Sequence, residues 1–384
     1  MTKQESQKTV RTFALASFFN DLGSDMFYPV WPLFVTSVLG ADMAILGLID
    51  GLGEAVVSLS QAASGYFSDR IRKRKIFVWT GYLFGSLSRV GYALATAWQQ
   101  LIPFRILDRA GKIRSAPRDA IIADVSTRED RGRNFGLLRT MDNFGAVCGI
   151  IICILFFGHL GYQRLFLLAA IPSVIGALLV FTVIKEKKAA DSRIFRGVSF
   201  KEISGNFKLF LLLSAVFALG SFSYSFLLIY AERFGFKATF VPVLYLVFTA
   251  AAAVFSLPFG KLSDRLGRKA LMLLSFILWG LVCLSLILIQ SHWAIILTFV
   301  LYGLHRGALE TVQKTLVAEL APAEYRASSL GGFQMVVGLC ALPASLIAGL
   351  LWDKIGIFAP FYFSLGLTVA AIVMLVFVRE ERMG

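Results

Sequence analysis

Residues 65–75 read Gly65-Tyr-Phe-Ser-Asp69-Arg70-Ile-Arg-Lys73-Arg74-Lys75, and a similar stretch follows at 260–269 as Gly260-Lys-Leu-Ser-Asp264-Arg265-Leu-Gly267-Arg268-Lys269. The two copies are 195 positions apart in a chain of 384 residues, and each lies between two long apolar segments. The same offset places Arg131 over Arg326 without a gap. The chain is therefore predicted to contain two copies of one structural unit, as expected of a duplicated bundle of membrane helices.

The composition places both copies in a membrane. With 57% hydrophobic and 16% charged residues, the chain is more apolar than a soluble core can accommodate. A span needs about 20 apolar residues, and the sequence predicts twelve, at 11–38, 43–67, 76–97, 99–122, 134–158, 162–184, 208–231, 239–260, 270–290, 292–318, 327–351 and 356–378. The predicted fold is all-α, with six-helix bundles at 1–184 and 208–384 joined by a cytoplasmic linker at 185–207.

The basic residues predict the orientation of the chain. Placing both termini in the cytoplasm puts 25 Lys and Arg on the inner segments and four on the outer ones. This asymmetry is the positive-inside rule, so the net charge of +14 is assigned to topology and no nucleic acid partner is predicted. We expect a multi-pass protein of a bacterial cytoplasmic (inner) membrane. The four cysteines fall inside spans without C-x-x-C spacing, and the sequence predicts neither a disulfide nor a metal site.

The doubled loop resembles the signature of the major facilitator superfamily, G-x-x-x-D-R-x-G-R-[RK], and the resemblance covers the whole chain. The second copy matches at every fixed position, whereas the first has Arg72 in place of glycine. The resemblance implies two pseudo-symmetric six-helix bundles that transport a small molecule by alternating access, through a site between the bundles at the middle of the membrane. It also implies a monomer without a cofactor.

The loops are candidates for a gate on the inner side. A helix N-terminus carries partial positive charge, so Asp69 is expected to bind the start of the eleventh span near Arg326, and Asp264 the start of the fifth near Arg131 and Arg133. The alternative is that the basic residues only orient the chain. The complete set of candidate gating residues is Gly65, Asp69, Arg70, Lys73, Arg74, Gly260, Asp264, Arg265, Gly267, Arg268, Lys269, Arg131, Arg133 and Arg326.

Charged residues inside spans are expensive, and they are therefore candidates for function. The first half holds seven such cations and seven acids: Arg89, Arg105, Arg109, Lys112, Arg114, Arg118 and Arg139, and Asp21, Asp25, Asp50, Glu54, Asp108, Asp119 and Asp142. Since a low-dielectric site tolerates charges best when they are paired, the equal numbers predict mutual neutralisation. Counting alone does not give the charge of a substrate.

The fourth span carries most of these charges. On a continuous helix, Arg105, Asp108, Arg109, Lys112 and Asp119 share one stripe about 100° wide. That stripe is expected to face protein or a water-filled cavity. Arg114 and Arg118 fall on the other side, nearer the cytoplasm, and are assigned an anchoring or gating role.

Two pairs of acids are candidates for proton coupling. Asp21 and Asp25 are spaced i,i+4 on the first span, as are Asp50 and Glu54 on the second. Neighbouring carboxylates in a dry cavity raise each other's proton affinity. The alternative is that these acids neutralise the fourth-span cations and never titrate.

Two further patterns favour antiport by resemblance to the family's proton antiporters. Arg105 and Gly111 match R-x-x-Q-G-x-G, but Asp108 and Arg109 stand in place of its Gln and Gly. Gly145 and Gly149 match half of G-x-x-x-G-P-x-x-G-G, with Ile150 in place of proline, and Gly-x-x-x-Gly is also an ordinary packing motif. In the second half, His305, Arg306 and Glu310 interrupt the tenth span. They are assigned to the opposite wall of the cavity, or the last two simply pair at i,i+4.

These observations predict proton-coupled export of a small polar or zwitterionic organic solute, such as a metabolite, a siderophore-like chelate or a drug. An importer or exchanger of organic anions, with Arg105, Arg109 and Lys112 as clamps, is the alternative. A membrane sensor is the candidate from another class, and no enzyme motif is found. The predicted substrate and proton-coupling residues are Asp21, Asp25, Asp50, Glu54, Arg89, Arg105, Asp108, Arg109, Lys112, Asp119, Arg139, Asp142, His305, Arg306 and Glu310, with Tyr28 among the aromatic candidates for the lining.

Overall fold

The computed structural model describes residues 3–71, 73–127, 130–185, 204–289, 291–320 and 326–380. These residues are almost entirely helical, and they contain no β-strand. The α-helices are α1 (Lys3–Asp25), α2 (Trp31–Leu33), α3 (Met43–Ile71), α4 (Lys75–Leu94), α5 (Trp98–Ala110), α6 (Ser115–Val125), α7 (Arg131–Val183), α8 (Gly205–Gly220), α9 (Ser225–Arg233), α10 (Val241–Leu266), α11 (Arg268–Leu288), α12 (His292–Leu320), α13 (Arg326–Lys354) and α14 (Ala359–Phe377). A π-helical turn at Phe34–Val38 follows α2, and a 3-10 turn at Gly111–Arg114 joins α5 to α6.

The described helices supply all twelve predicted spans, and the prediction of an all-α membrane protein is confirmed. Some spans are assembled from pieces: α1 with α2 and the π-helical turn, α5 with α6, and α8 with α9. Within the described ranges, eight segments are long and apolar enough to cross a bilayer by length and composition alone. The first, third and fourth spans lie outside this set because they are broken or more polar.

Helix α7 holds two spans. Its 53 residues correspond to about 80 Å of helix at 1.5 Å per residue, whereas the hydrocarbon core of a bilayer is about 30 Å thick. The backbone turns at Gly161, where φ is 67° and ψ is −174°. Glycine adopts this conformation without the Cβ clash of other residues, so the fifth predicted span ends there and the sixth begins.

The chain divides into two compact units, and unit 1 comprises residues 1–40 and 56–195. In this unit α1 and α4 both pack along α7. Glycines allow the close approach of α1: a Cβ built on Gly145 would lie 2.3 Å from the Phe18 carbonyl oxygen, and one on Gly149 would lie 2.3 Å from that of Leu22. The apolar core of the unit consists of Val10, Phe13, Ala16, Val78, Tyr82, Ile122, Leu138, Ala177, Val180 and Ile184.

Unit 2 comprises residues 41–55 and 196–384, so it includes the first residues of α3. These residues pack against α13, where a Cβ on Gly47 would lie 2.0 Å from the Ser345 carbonyl oxygen. The Asp353 carboxylate accepts hydrogen bonds from the backbone N–H groups of Met43 at 3.3 Å and Ala44 at 2.7 Å. A carboxylate on the free N–H groups of a helix N-terminus is stabilising, which fixes α3 at this end. The predicted linker at 185–207 lies largely outside the described residues, and the division at 184 and 208 stays a prediction.

Candidate functional site

Unit 1 encloses a polar cavity of about 150 Å³. Its lining comes from α1, α4, α5 and the 3-10 turn, and consists of Asn20, Asp21, Ser24, Asp25, Tyr28, Gly85, Arg89, Asp108, Arg109, Lys112 and Arg114. Four of these residues lie on α1 as two i,i+4 pairs, Asn20 with Ser24 and Asp21 with Asp25, which brings them to one face of that helix, and Tyr28 follows in the turn after it. The cavity is therefore a place where acids and cations meet inside a membrane bundle.

A network at one side of the cavity centres on Asp108. The Tyr28 hydroxyl lies 3.4 Å from Asp108 Oδ2, and it accepts a hydrogen bond from Arg109 at 3.2 Å. Arg105 Nη1 and Arg109 Nε lie 4.0 and 3.9 Å from the same carboxylate oxygen. Both guanidinium groups also cover aromatic rings, Arg105 on Trp31 at 4.8 Å and Arg109 on Tyr28 at 5.1 Å. The Asp108 charge is thus shared by two arginines held by cation–π contacts.

Arg89 connects three helices beside the cavity. Its side chain is buried, and it donates hydrogen bonds to the Ala169 carbonyl oxygen at 2.8 Å, to Ser24 Oγ at 2.8 Å and to Ser173 Oγ. Ser24 lies on α1, whereas Ala169 and Ser173 lie on α7. Asn20 extends the network, because Ser173 donates to its amide oxygen at 3.3 Å. Most of the hydrogen-bonding capacity of Arg89 is therefore used within the protein.

Lys112 lies on the 3-10 turn and lines the cavity, but it lacks the direct contacts that Arg89 and Arg109 make. Among the described residues, its Nζ makes neither a hydrogen bond nor an ion pair within 4.0 Å, although Asp21, Arg109 and Arg114 act on it electrostatically. The turn is held close to α4 by two glycines, since a Cβ on Gly111 would lie 2.7 Å from the Gly81 carbonyl oxygen. Lys112 is thus a cation that lines the cavity without a direct partner in the part of the chain that the structure describes.

The structure changes the predicted arrangement of the fourth span. The predicted stripe assumes a continuous helix, but α5 ends at Ala110 and the 3-10 turn rotates the residues that follow. Asp119 consequently leaves the stripe. Arg114, predicted to lie on the opposite side, lines the cavity. Its guanidinium donates to the Gly111 carbonyl oxygen at 2.8 Å and covers the Tyr82 ring at 5.1 Å.

A second ionic cluster in unit 1 lies outside the cavity lining. Arg118 Nε donates to Asp119 at 3.0 Å, and its Nη1 donates to Ser17 Oγ at 2.8 Å. Arg139 pairs with Asp142 one helical turn away, at 3.5 Å. Each cation of this cluster has a carboxylate partner close to it in sequence, and the cluster is neutral.

The remaining predicted site residues belong to unit 2 and are not among the residues that line the cavity. Asp50 is buried and accepts hydrogen bonds from Ser223 Oγ at 2.7 Å and from Ser225 Oγ, at the break between α8 and α9. Glu54, in contrast, is exposed. The buried Asp50 carboxylate thus holds the break between α8 and α9 in place within unit 2.

The three charged or polar residues of α12 separate in the structure. His305 Nδ1 lies 3.0 Å from Ser275 Oγ, and the ring packs among Phe217, Trp279 and Tyr302. Arg306 and Glu310 form an exposed i,i+4 ion pair. The structure thus shows the i,i+4 pairing of Arg306 with Glu310 that is the alternative in the sequence analysis. His305 is part of an aromatic core.

The candidate gating residues show ion pairs within each unit. Arg268 of α11 donates to Asp264 and to Glu319, the latter at 3.1 Å, and Arg74 of unit 1 pairs with Asp124. Gly267 has a φ of 99°, a conformation that favours glycine. Arg70, Lys73, Arg133 and Arg265 are exposed, and Gly65 and Gly260 lie within helices. The side chains of Asp69, Arg131 and Arg326 lie outside the described part of the chain, so the proposed latches are not tested.

The cavity includes residues that sequence reasoning did not select. Asn20 and Ser24 are one position before the predicted acids Asp21 and Asp25, and their i,i+4 spacing on the same span was a usable signal. Over the described ranges, no three His, Cys, Asp or Glu side chains come together as a metal ion would require. The polar cavity in unit 1 combines six of the predicted site residues, with Arg105 adjacent: Asp21, Asp25, Arg89, Asp108, Arg109 and Lys112.

Comparison with known proteins points to one family. The sequence model of the Major Facilitator Superfamily matches residues 13–246 and 209–383. An uncharacterized MFS-type transporter of Methanocaldococcus jannaschii is 38% identical over 358 residues, which cover 91% of this chain and 89% of that protein. The quinolone resistance protein NorA of Staphylococcus aureus is 22% identical over 94% of both chains. In fold, a crystal structure of a variant of the nucleoside transporter NupG has a TM-score of 0.80 at 14% identity, covering 96% of this chain and 98% of that one.

Proposed function

Because the chain belongs to the major facilitator superfamily, and is an integral membrane transporter of small molecules rather than an enzyme, we propose that it exports a small polar or zwitterionic organic solute in exchange for protons. The observation that carries the proposal is the cavity of unit 1, where Asp21 and Asp25 face the cations Arg109 and Lys112. A solute with both an ammonium and a carboxylate group finds complementary charges there.

Competition at the acids supplies the coupling in this proposal. Asp25 lines the cavity within one helical turn of Asp21, so a proton and the ammonium group of a solute compete for the same carboxylates. Mutually exclusive binding of proton and solute is the requirement for antiport. The remaining candidate site residues, including Asp119, Arg139, Asp142, His305, Arg306 and Glu310, are proposed to stabilise the bundles rather than to bind the solute.

The outward direction rests on a different consideration. NorA is named for quinolone resistance and is similar to this chain over 94% of its length. A membrane transporter confers resistance to an organic compound by removing it from the cell, which supports export. We propose that both termini lie in the cytoplasm, because the basic residues are concentrated on the inner segments. A monomer in a bacterial cytoplasmic membrane stays an expectation from the family resemblance.

The test is uptake of a pooled metabolite, chelate and drug library into liposomes that contain the purified protein, with and without a proton gradient. Accumulation that requires the gradient and disappears in Asp25→Asn supports coupled transport through this acid. Transport that is indifferent to both the gradient and the substitution would contradict proton coupling. Absence of any transport would favour a membrane sensor instead.

Import or exchange of organic anions is the second candidate function. The observation that favours it is Lys112, a cavity cation with no direct partner among the described residues. An anion bound at Lys112 does not compete with a proton at Asp25, so the two would travel in the same direction. The sign of the gradient dependence in the liposome experiment distinguishes this mode from antiport.

A further inference from the structure

Cations and acids are equal in number in the spans of the first half of the chain, but the structure does not bring all of them to the cavity. Seven cations and seven acids lie in the spans of the first half. Asp50 and Glu54 belong to unit 2, and Asp119 and Asp142 are paired with Arg118 and Arg139 outside the cavity lining. None of these four acids and neither of these two cations is among the residues that line the cavity.

The charges that remain around the cavity are unequal. Among the described residues, the cations are Arg89, Arg105, Arg109, Lys112 and Arg114, whereas the acids are Asp21, Asp25 and Asp108. With every acid ionised, the lining itself has an excess of one positive charge, and Arg105, which lies beside the lining residue Asp108, raises the excess to two. Protonation of an acid during coupling increases this excess further.

An excess of buried positive charge is costly unless an anion compensates it. The arginines have contacts within the protein, such as those of Arg89 with Ala169 and of Arg109 with Tyr28. Lys112 Nζ has no direct partner among the described residues, although it lines the cavity. An ammonium group donates up to three hydrogen bonds, and a carboxylate accepts them strongly in a low-dielectric site.

We propose that the transported solute is a small organic anion, and that Lys112 binds its carboxylate. This inference rests on the second candidate function, transport of an organic anion, because it names the substrate class and the binding residue of the same cavity. It narrows a polar or zwitterionic solute to one in which negative groups outnumber positive ones. A single ammonium group is still compatible with the cavity, through Asp21 or Asp25.

The test measures binding of four probes with the same four-carbon skeleton to the purified full chain by isothermal titration calorimetry: succinate, succinamate, succinamide and 1,4-diaminobutane. The variants are Lys112→Gln and, as a control that removes one exposed cation of unit 1, Arg164→Gln. We expect wild type to bind succinate most tightly and the diamine least. Lys112→Gln is expected to weaken succinate binding about tenfold or more, as loss of one charge-assisted hydrogen bond would, while Arg164→Gln leaves it unchanged.

Equal binding of succinamide and succinate would overturn the inference, as would unchanged succinate affinity in Lys112→Gln. Binding of none of the four probes, by a protein that transports neutral or cationic members of the library, would also overturn it. In that last case the proposed function stands, because transport is measured independently. Transport of no solute at all contradicts the proposed function itself, so the two failures are distinguishable.

Discussion

Arg89 is expected to stabilise unit 1, and replacing it tests whether a charge beside the cavity is structural. Arg89→Met removes a buried guanidinium that donates to Ala169, Ser173 and Ser24. A polar interaction between membrane helices contributes about 0.6 kcal/mol on average and up to about 1.7 kcal/mol. The loss of three, together with the cost of acceptors left unsatisfied, predicts a destabilisation of about 3–5 kcal/mol. Arg89→Lys keeps the charge, but a single ammonium nitrogen cannot reach acceptors on both α1 and α7. This variant is therefore expected to retain less than half of the stability that Arg89→Met loses.

The assay is thermal unfolding of the purified variants in detergent at a fixed scan rate. A change of 1 kcal/mol shifts the Tm of a large domain by about 2 °C, so Arg89→Met is expected to unfold roughly 6–10 °C below wild type. Lys112→Gln removes another cation of the cavity lining that has no direct partner in the described residues, and its Tm is expected to stay near that of wild type. An Arg89→Met variant as stable as wild type would refute the structural assignment and return Arg89 to the binding residues.

Three further predictions concern packing, the buried acid of unit 2 and the gate. Gly149→Ala is expected to destabilise the protein by about 1–3 kcal/mol through backbone overlap with α1, whereas Gly136→Ala, which has open space around its Cβ, is expected to leave the Tm unchanged; equal Tm values would contradict the packing argument. Asp50→Asn keeps one oxygen for Ser223 but loses the charge, and a Tm decrease of a few degrees is expected; an unchanged Tm would show that these bonds contribute nothing. Asp264→Asn is expected to leave the Tm unchanged and to slow transport in liposomes, and wild-type turnover would eliminate the proposed latch.

The sequence predicts the architecture well because hydrophobic length and duplication are properties of the chain alone. Twelve spans follow from apolar runs of about 20 residues, and the repeated loop at 65–75 and 260–269 identifies the two halves. Gly161 lies within the polar stretch 159–164 and marks the boundary between the fifth and sixth spans. The polar spans are harder to interpret, since the roles of their charges depend on tertiary neighbours.

The fourth span shows where the prediction fails and why. Helical periodicity assumes a constant 100° per residue, whereas the chain tightens to a 3-10 turn at Gly111–Arg114. The cause is tertiary: Gly81 and Gly111 let α4 approach the turn so closely that a Cβ on either would overlap backbone. Glycine at position 111 is visible in the sequence, but its partner on another helix is not. The position of Arg114 in the cavity therefore depends on a helix contact that periodicity does not encode.

The charge of the cavity illustrates how a neutral total can conceal a charged site. Pairs that are close in sequence, such as Arg118 with Asp119 and Arg139 with Asp142, neutralise each other locally. The short spacing within each pair is visible in the sequence, so the sequence alone allows both pairs to be left out of the count of cavity charges. The assignment of Asp50 to unit 2 is not visible there, because it depends on which helices the first part of α3 contacts. Removal of the neutral pairs leaves the balance of charge unchanged, so the positive excess appears only because Asp50 and Glu54 are not among the lining residues. The proposal of an anionic solute rests on this excess rather than on the total.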